Sequence, residues 1–178
     1  MKKGLVLEGG GTKGAYQIGA YKALRDLGIK FTGIAGTSIG ALNGALIIQD
    51  DDKVMEDIWI NYDYKSIMNN DEDTYERYKN IEMKAKNFHD VVDLINKARK
   101  NNGIDISPLR KLLQEKIDED KIRQSNIDFG ITTAYWDGKI FPKLLYTEDI
   151  PKGRLADYLI ASASLPIFQL DKLDDKLY

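Results

Sequence analysis

Apolar and polar positions divide the chain into short hydrophobic runs, glycine-rich breaks and amphipathic stretches. Gly4-Leu5-Val6-Leu7-Glu8 is a short apolar run that ends in glycines, the pattern of a buried strand. After the loop Gly9-Gly10-Gly11-Thr12-Lys13-Gly14, Ile18, Tyr21, Ala23, Leu24 and Leu27 recur at spacings of three and four. That spacing predicts a helix over Ala15 to Leu27, with Gly28 as its C′ stop. Lys30 to Ala35 reads as a second strand, and Ala41 to Ile48 as a second helix. The turn between them is Gly36-Thr37-Ser38-Ile39-Gly40.

Further along, Asp50-Asp51-Asp52 closes the second helix and supplies a cap for the next, Lys53 to Trp59. Residues 60–105 are polar and helical in character, with Asn/Asp-rich breaks near 69–73 and 101–103, and read as a helical, lid-like insertion. Within them Phe88, Val91, Val92 and Ile95 form an apolar stripe flanked by lysines. Ser107-Pro108 reads as an N-cap followed by proline at N1, and Leu109, Leu112, Leu113 and Ile117 as that helix's buried face. Ile127 to Ala134 and Ile140 to Tyr146 are rich in strand formers, joined by Trp136-Asp137-Gly138-Lys139 as a hairpin turn. Leu155 to Ala163 is a last helix, after which Leu165-Pro166-Ile167-Phe168 leads towards Tyr178. A strand–loop–helix–strand–turn–helix order predicts a parallel, right-handed unit, so the fold class is α/β. Residues 1–178 read as one domain.

Bulk properties remove several function classes. At 178 residues the chain is long enough for one domain with a real core. A net charge of -2 gives no positive field to hold nucleic acid, and no nucleic-acid partner is expected. With no cysteine there is no thiolate metal site and no cysteine nucleophile. The acidic runs at 50–52, 71–73 and 118–120 read as solvated caps and loops, so no metal is expected. The apolar run at the N-terminus is too short for a secretory signal, and no stretch approaches a membrane span. The expected location is the cytoplasm. The lysines around Phe88 to Ile95 read first as a solvated face, and second as a transient contact with an anionic membrane surface.

Strand, G-x-S-x-G, helix is the layout of a nucleophile elbow. Gly36 and Gly40 flank a sharp turn at which side chains would collide with backbone. Ser38 is left at the tip, over the positive end of a helix, as the candidate nucleophile. Gly9, Gly11 and Gly14 also satisfy G-x-G-x-x-G after a strand and before a helix, a dinucleotide fingerprint. Such a site needs an acidic residue at the end of the second strand, and here the chain reads Ala35-Gly36-Thr37-Ser38. The loop also lacks the Gly-Lys-Ser/Thr ending of a phosphate-binding loop. No cofactor is therefore expected, and a nucleotide-binding module remains the less favoured reading. The better use of the loop is to aim backbone N–H groups at an oxyanion beside Ser38. Gly10 and Gly11 are the chosen donors, with Gly9 in the same loop and Ile39 N–H from the elbow itself. Lys13 is evenly divided between attracting an anionic head group and standing in solvent. His89, the only histidine, lies beside a polar helix stripe and reads as a surface residue rather than a base.

Leu7-Glu8-Gly9-Gly10-Gly11-Thr12-Lys13-Gly14-Ala15-Tyr16, followed by Gly36-Thr37-Ser38-Ile39-Gly40-Ala41-Leu42-Asn43, resembles the patatin-like phospholipases. Ala161 to Phe168 is similar to the approach to that family's second catalytic motif. The resemblance implies a three-layer α/β/α sandwich with a mostly parallel central sheet, related to the α/β-hydrolases. It implies a Ser-Asp dyad without histidine, an oxyanion hole in the glycine loop, and hydrolysis of lipid acyl esters through an acyl-serine. The family's aspartate lies in an Asp-Gly-Gly or Asp-Gly-Ala motif, and the only Asp-Gly here is Asp137-Gly138, explained by its hairpin turn. Asp174 and Asp175 lack the following glycines and read as the turn before a final strand. The expectation is that the domain is incomplete at its C-terminus, with its base beyond Tyr178, and that residues 1–178 alone act poorly. A non-catalytic domain that binds lipid or a protein partner is the main alternative. The oligomeric state is left open.

Overall fold

The computed structural model describes residues 1–62, 64–68, 103–137, 139–164, 168–169 and 172–178. The stripe at Phe88 to Ile95, His89, most of the expected insertion and Leu165 to Ile167 lie outside the described residues. In chain order the elements are strand β1 (Gly4–Leu7), a 3-10 turn (Gly11–Lys13), helix α1 (Gly14–Asp26), strand β2 (Gly33–Thr37) and helix α2 (Ile39–Gln49). Helices α3 (Asp52–Asn61), α4 (Tyr64–Ile67), α5 (Ser107–Lys116) and α6 (Glu119–Gln124) follow. Strands β3 (Asp128–Asp137) and β4 (Lys139–Tyr146), a second 3-10 turn (Thr147–Asp149) and helix α7 (Leu155–Ala163) precede a hairpin, β5 (Lys172–Leu173) and β6 (Lys176–Leu177).

β1, β2 and β3 lie side by side and parallel, in register from Gly4 opposite Gly33 and from Gly33 opposite Asp128. β4 returns antiparallel along the other edge of β3, and Trp136 of β3 pairs with Leu177 of the closing hairpin. This is an α/β fold built on parallel strands. β2 begins three residues later than the apolar run suggested, because its ladder starts opposite Gly4 and Asp128. Residues before it are spent on the exit from α1, where Ile29 N–H donates to Leu24 O.

One side of the sheet carries a helical layer over β2 and β3. α2 lies on that side: a Cβ at Gly44 would come within 2.8 Å of the Phe129 ring and 3.2 Å of Ile34. Leu7, Ile34, Phe129, Ile131 and Leu145 point into this layer and form one cluster with Leu46, Leu155, Leu159 and Ile160. Alternate strand residues face the other way. There Val6 is 82% exposed, and Ile140, Leu144, Tyr146 and Trp136 are exposed too. Within β1 Leu7 is buried and Val6 exposed, where the apolar run read as a buried strand.

Local capping explains several boundaries. Asp51 accepts from Lys53 and Val54 N–H at the start of α3, as the aspartate run suggested. Ser107 is the first helical residue of α5 rather than its cap, because Asp105 Oδ1 takes its N–H at 2.8 Å. Asp118 caps α6 through Lys121 N–H, so the acidic run at 118–120 opens a helix that the apolar pattern did not reveal. Asp174 and Asp175 form the turn between β5 and β6, both at positive φ, and Asp137 pairs with Lys139 across its hairpin, as read from the sequence.

Candidate active site

Parallel pairing brings two loops together. Leu7 ends β1 opposite Gly36 in β2, so the chain leaves both strands at the same sheet edge, one into the glycine loop and one into the Ser38 turn. The separation is small: a Cβ at Gly9 would lie 3.2 Å from Ser38 Cβ and 3.9 Å from its Oγ. A side chain at Gly9 would press on Ser38 and make it give by a few tenths of an ångström, so glycine keeps this approach unstrained. The expected elbow glycines are equally constrained. A Cβ at Gly36 would sit 2.3 Å from Gly40 O, and one at Gly40 would sit 2.2 Å from Leu7 O. Gly40 thus sets how closely α2 approaches the end of β1.

Ser38 stands at the N-cap of α2 with φ 55 and ψ -127. Positive φ in a residue with a Cβ costs of order 1–3 kcal/mol, and the surrounding structure has to hold it there. Two sets of hydrogen bonds do so. Ala41 and Leu42 N–H donate to Ser38 O at 2.9 and 3.2 Å. Ser38 N–H donates to Ser162 Oγ at 2.8 Å, and that hydroxyl donates to Thr132 O at 2.6 Å. The Ser38 hydroxyl does not cap α2, although serine is a favoured cap. Ser38 is half-buried at the start of that helix.

The loop has its own supports. Gly11 opens the 3-10 turn at φ 55, and Lys13 N–H donates to Gly10 O at 3.2 Å. Gly14 begins α1, where a Cβ would come within 2.5 Å of Ile39 and 2.8 Å of the Trp59 ring. Asn43, fully buried in α2, ties these pieces together. Its Nδ2 donates to Gly14 O and Gln17 Oε1, both at 2.9 Å, and its Oδ1 accepts from Trp59 Nε1 at 3.0 Å. Gln17 Nε2 in turn donates to Glu8 O at 2.8 Å. Both ends of the glycine loop are thereby tied to the helix that begins at Ser38. Glu8, Gly9, Gly10, Thr12, Lys13, Tyr16 and Gln17 line an open cleft of about 400 Å³ along the loop.

α7, which carries Ser162, is anchored from α6. Glu119 Oε1 accepts from Arg123 Nε and Gly153 N–H, and Oε2 accepts from Leu155 N–H at 3.0 Å. Burial raises the Glu119 pKa, but these donors together outweigh it and hold the carboxyl below the usual range. Tyr158 of α7 donates to Asp174, so that aspartate is engaged with a tyrosine. Among the described residues no group of His, Cys, Asp or Glu is arranged to hold a metal ion. Sequence reasoning placed the serine and the glycines but assigned no role to Ser162, Asn43, Gln17 or Glu119. Asn43 carried a weak signal, a polar residue in the middle of an otherwise apolar helix.

A family profile described as patatin-like phospholipase matches residues 5–178. Over 51 residues the chain is 57% identical to lysophospholipase nte1 of Aspergillus terreus, covering 29% of this chain and 3% of that protein. A patatin-like phospholipase domain-containing protein of Caenorhabditis elegans, ZK370.4, is 48% identical over 52 residues, 29% of this chain and 4% of its own. The chain thus matches only a small part of the length of these relatives. In three dimensions it is similar to VipD of Legionella pneumophila, with a TM-score of 0.60 and 18% identity over 99% of this chain and 45% of that one. That likeness concerns the fold. Since the profile runs through both the glycine loop and the serine turn that the sheet brings together, the chain belongs to the patatin-like phospholipase family.

Proposed function

We propose that this protein is a serine acyl-ester hydrolase acting on lipids, with Ser38 as nucleophile. The observation that carries the reading is the approach of Gly9 to Ser38, 3.2 Å from a Cβ position on the loop to the serine Cβ. An acyl carbonyl seated there meets a hydroxyl on one side and loop N–H groups on the other. Ser38 Oγ attacks the carbonyl carbon, and the charge that develops on the carbonyl oxygen is met by N–H groups of Gly9, Gly10, Gly11 and Ile39. Each well-aimed donor is worth roughly 3–4 kcal/mol in such a transition state. Collapse expels the alcohol and leaves acyl-Ser38, which water then hydrolyses. A base must take the Ser38 proton and pass it to the oxygen of the departing alcohol. The resemblance assigns it to an Asp-Gly-Gly or Asp-Gly-Ala motif, which residues 1–178 do not contain.

The relatives named lysophospholipase make a lysophospholipid the first substrate to offer. Fatty acid release from lysophosphatidylcholine by the full-length protein is the test. Release that Ser38→Ala abolishes is expected; release that survives the substitution refutes the nucleophile. The alternative reading is a patatin-fold domain that binds lipid without catalysis. It predicts retention of lysophospholipid without turnover, in wild type and Ser38→Ala alike.

A further inference from the structure

Ser162 sits near the C-terminal end of α7, 124 residues from Ser38, and is 9% exposed. Its hydroxyl has one proton and two lone pairs. The proton goes to Thr132 O in β3 at 2.6 Å, which turns a lone pair towards Ser38 N–H at 2.8 Å. These two contacts are directional, and they lock α7, β3 and the serine turn to one another. At Ser38 the consequence is geometric. Its carbonyl is held by Ala41 and Leu42 N–H, and its N–H is held by Ser162. With both backbone branches fixed at a tetrahedral Cα, the direction of Cβ is fixed as well, at φ 55 and alongside Gly9. Removing the Ser162 contact frees one of the two branches. The same contact also engages the Ser38 N–H, so that group is withdrawn from the donors available to an oxyanion.

We propose that Ser162 is a positioning residue for acyl transfer: its hydroxyl aims Ser38 by holding the Ser38 N–H against β3. This rests on Ser38 being the nucleophile, so its test has one arm that depends on reactivity and one that does not. In the full-length protein, the rate of fluorophosphonate labelling at Ser38 is measured against probe concentration for wild type, Ser162→Ala, Ser162→Thr and Ser164→Ala. Ser164 is the control, since among the described residues its hydroxyl donates to Ile160 O of the same helix and not to the Ser38 turn. Misaiming a reacting group by about 1 Å costs roughly a hundred-fold. Ser162→Ala is therefore expected to lower the maximal labelling rate by about ten- to a hundred-fold. Half-saturation should stay within roughly two-fold, because the substituted hydroxyl does not meet the probe. Ser162→Thr, which keeps a hydroxyl, restores most of the rate, and Ser164→Ala matches wild type. In the second arm, hydrogen exchange at the Ser38 amide is slow in wild type and Ser162→Thr and about ten-fold or more faster in Ser162→Ala. Equal labelling rates for wild type and Ser162→Ala, an equal loss in Ser164→Ala, or no recovery in Ser162→Thr overturns the proposal. A wild type that acquires no adduct at Ser38 refutes the hydrolase reading instead. In that case equal Ser38 exchange in wild type and Ser162→Ala refutes the brace on its own.

Discussion

Two glycine-to-alanine substitutions should act with opposite sign. At Gly40 an added Cβ would lie 2.2 Å from Leu7 O and 2.6 Å from both Glu8 O and Leu7 C. All three atoms are backbone of the strand end, so no side chain can rotate away. Ordinary van der Waals contact begins at 3.4 Å, so α2 and β1 must part by roughly 1 Å. Overpacking of this kind costs about 1–3 kcal/mol, and a backbone-on-backbone overlap belongs at the upper end. For a chain of this size about 3 kcal/mol lowers Tm by roughly 6–12 °C. The shift also carries the glycine loop away from Ser38, and a displacement near 1 Å is expected to slow labelling of Ser38 by about a hundred-fold. Gly19, inside α1, has nothing within 4 Å of its Cβ position. Alanine there gains helix propensity, worth about 0.5–1 kcal/mol, and raises Tm by roughly 1–4 °C with labelling unchanged. Calorimetry and labelling of the two variants check both halves. A Gly40→Ala protein that melts and labels like wild type would refute the close-approach argument, and so would equal losses at the two positions.

Three other outcomes follow from the hydrogen-bonded supports and the uncovered sheet face. Asn43→Leu leaves Gly14 O and Trp59 Nε1 without their partner, which should cost about 3 kcal/mol; a double-mutant cycle with Trp59→Phe should return a coupling near 1 kcal/mol, measured by chemical denaturation. Glu119→Gln should cost about 1–2 kcal/mol at neutral pH. Because the folded Glu119 pKa lies below its unfolded value, that stabilisation is present above about pH 4.3 and is lost as pH falls through the folded pKa. Urea titrations of wild type and Glu119→Gln should therefore converge in acid, and a gap that stays constant with pH would contradict the charge-based anchor. Val6→Thr, at an 82% exposed position, should change stability by no more than about 0.5 kcal/mol despite lying in the most apolar part of β1; a loss near 2 kcal/mol in a denaturant midpoint would mean that this face is covered.

The parts of the fold that were legible are those written in local spacing. Gly28 ends α1 at positive φ, Asp51 caps α3, and Leu155 to Ala163 is helical over the expected residues. Ser38 and the glycine loop were legible because a tight turn and a close approach each demand glycine at fixed positions. Supports made across the chain left no such trace. Nothing near Ser162 in sequence announces that its hydroxyl meets an amide 124 residues away. Val6 shows a second limit. An apolar run records that a strand is hydrophobic, whereas the packing of α2 against Ile34 and Phe129 decides which face is covered, and Val6 falls on the other. The α6 helix was hidden because its six residues carry charge on most positions, and its stability comes from the Asp118 cap and from Glu119 and Arg123 reaching neighbouring backbone.

The proposed reaction requires Ser38 to be the group that attacks an acyl carbon. The most direct measurement is peptide mapping by mass spectrometry of the full-length protein after reaction with a fluorophosphonate. A single adduct on the peptide containing Ser38 is expected, saturating near one per chain and absent from Ser38→Ala. Equal labelling of wild type and Ser38→Ala, or an adduct on another serine with Ser38 unmodified, would contradict it.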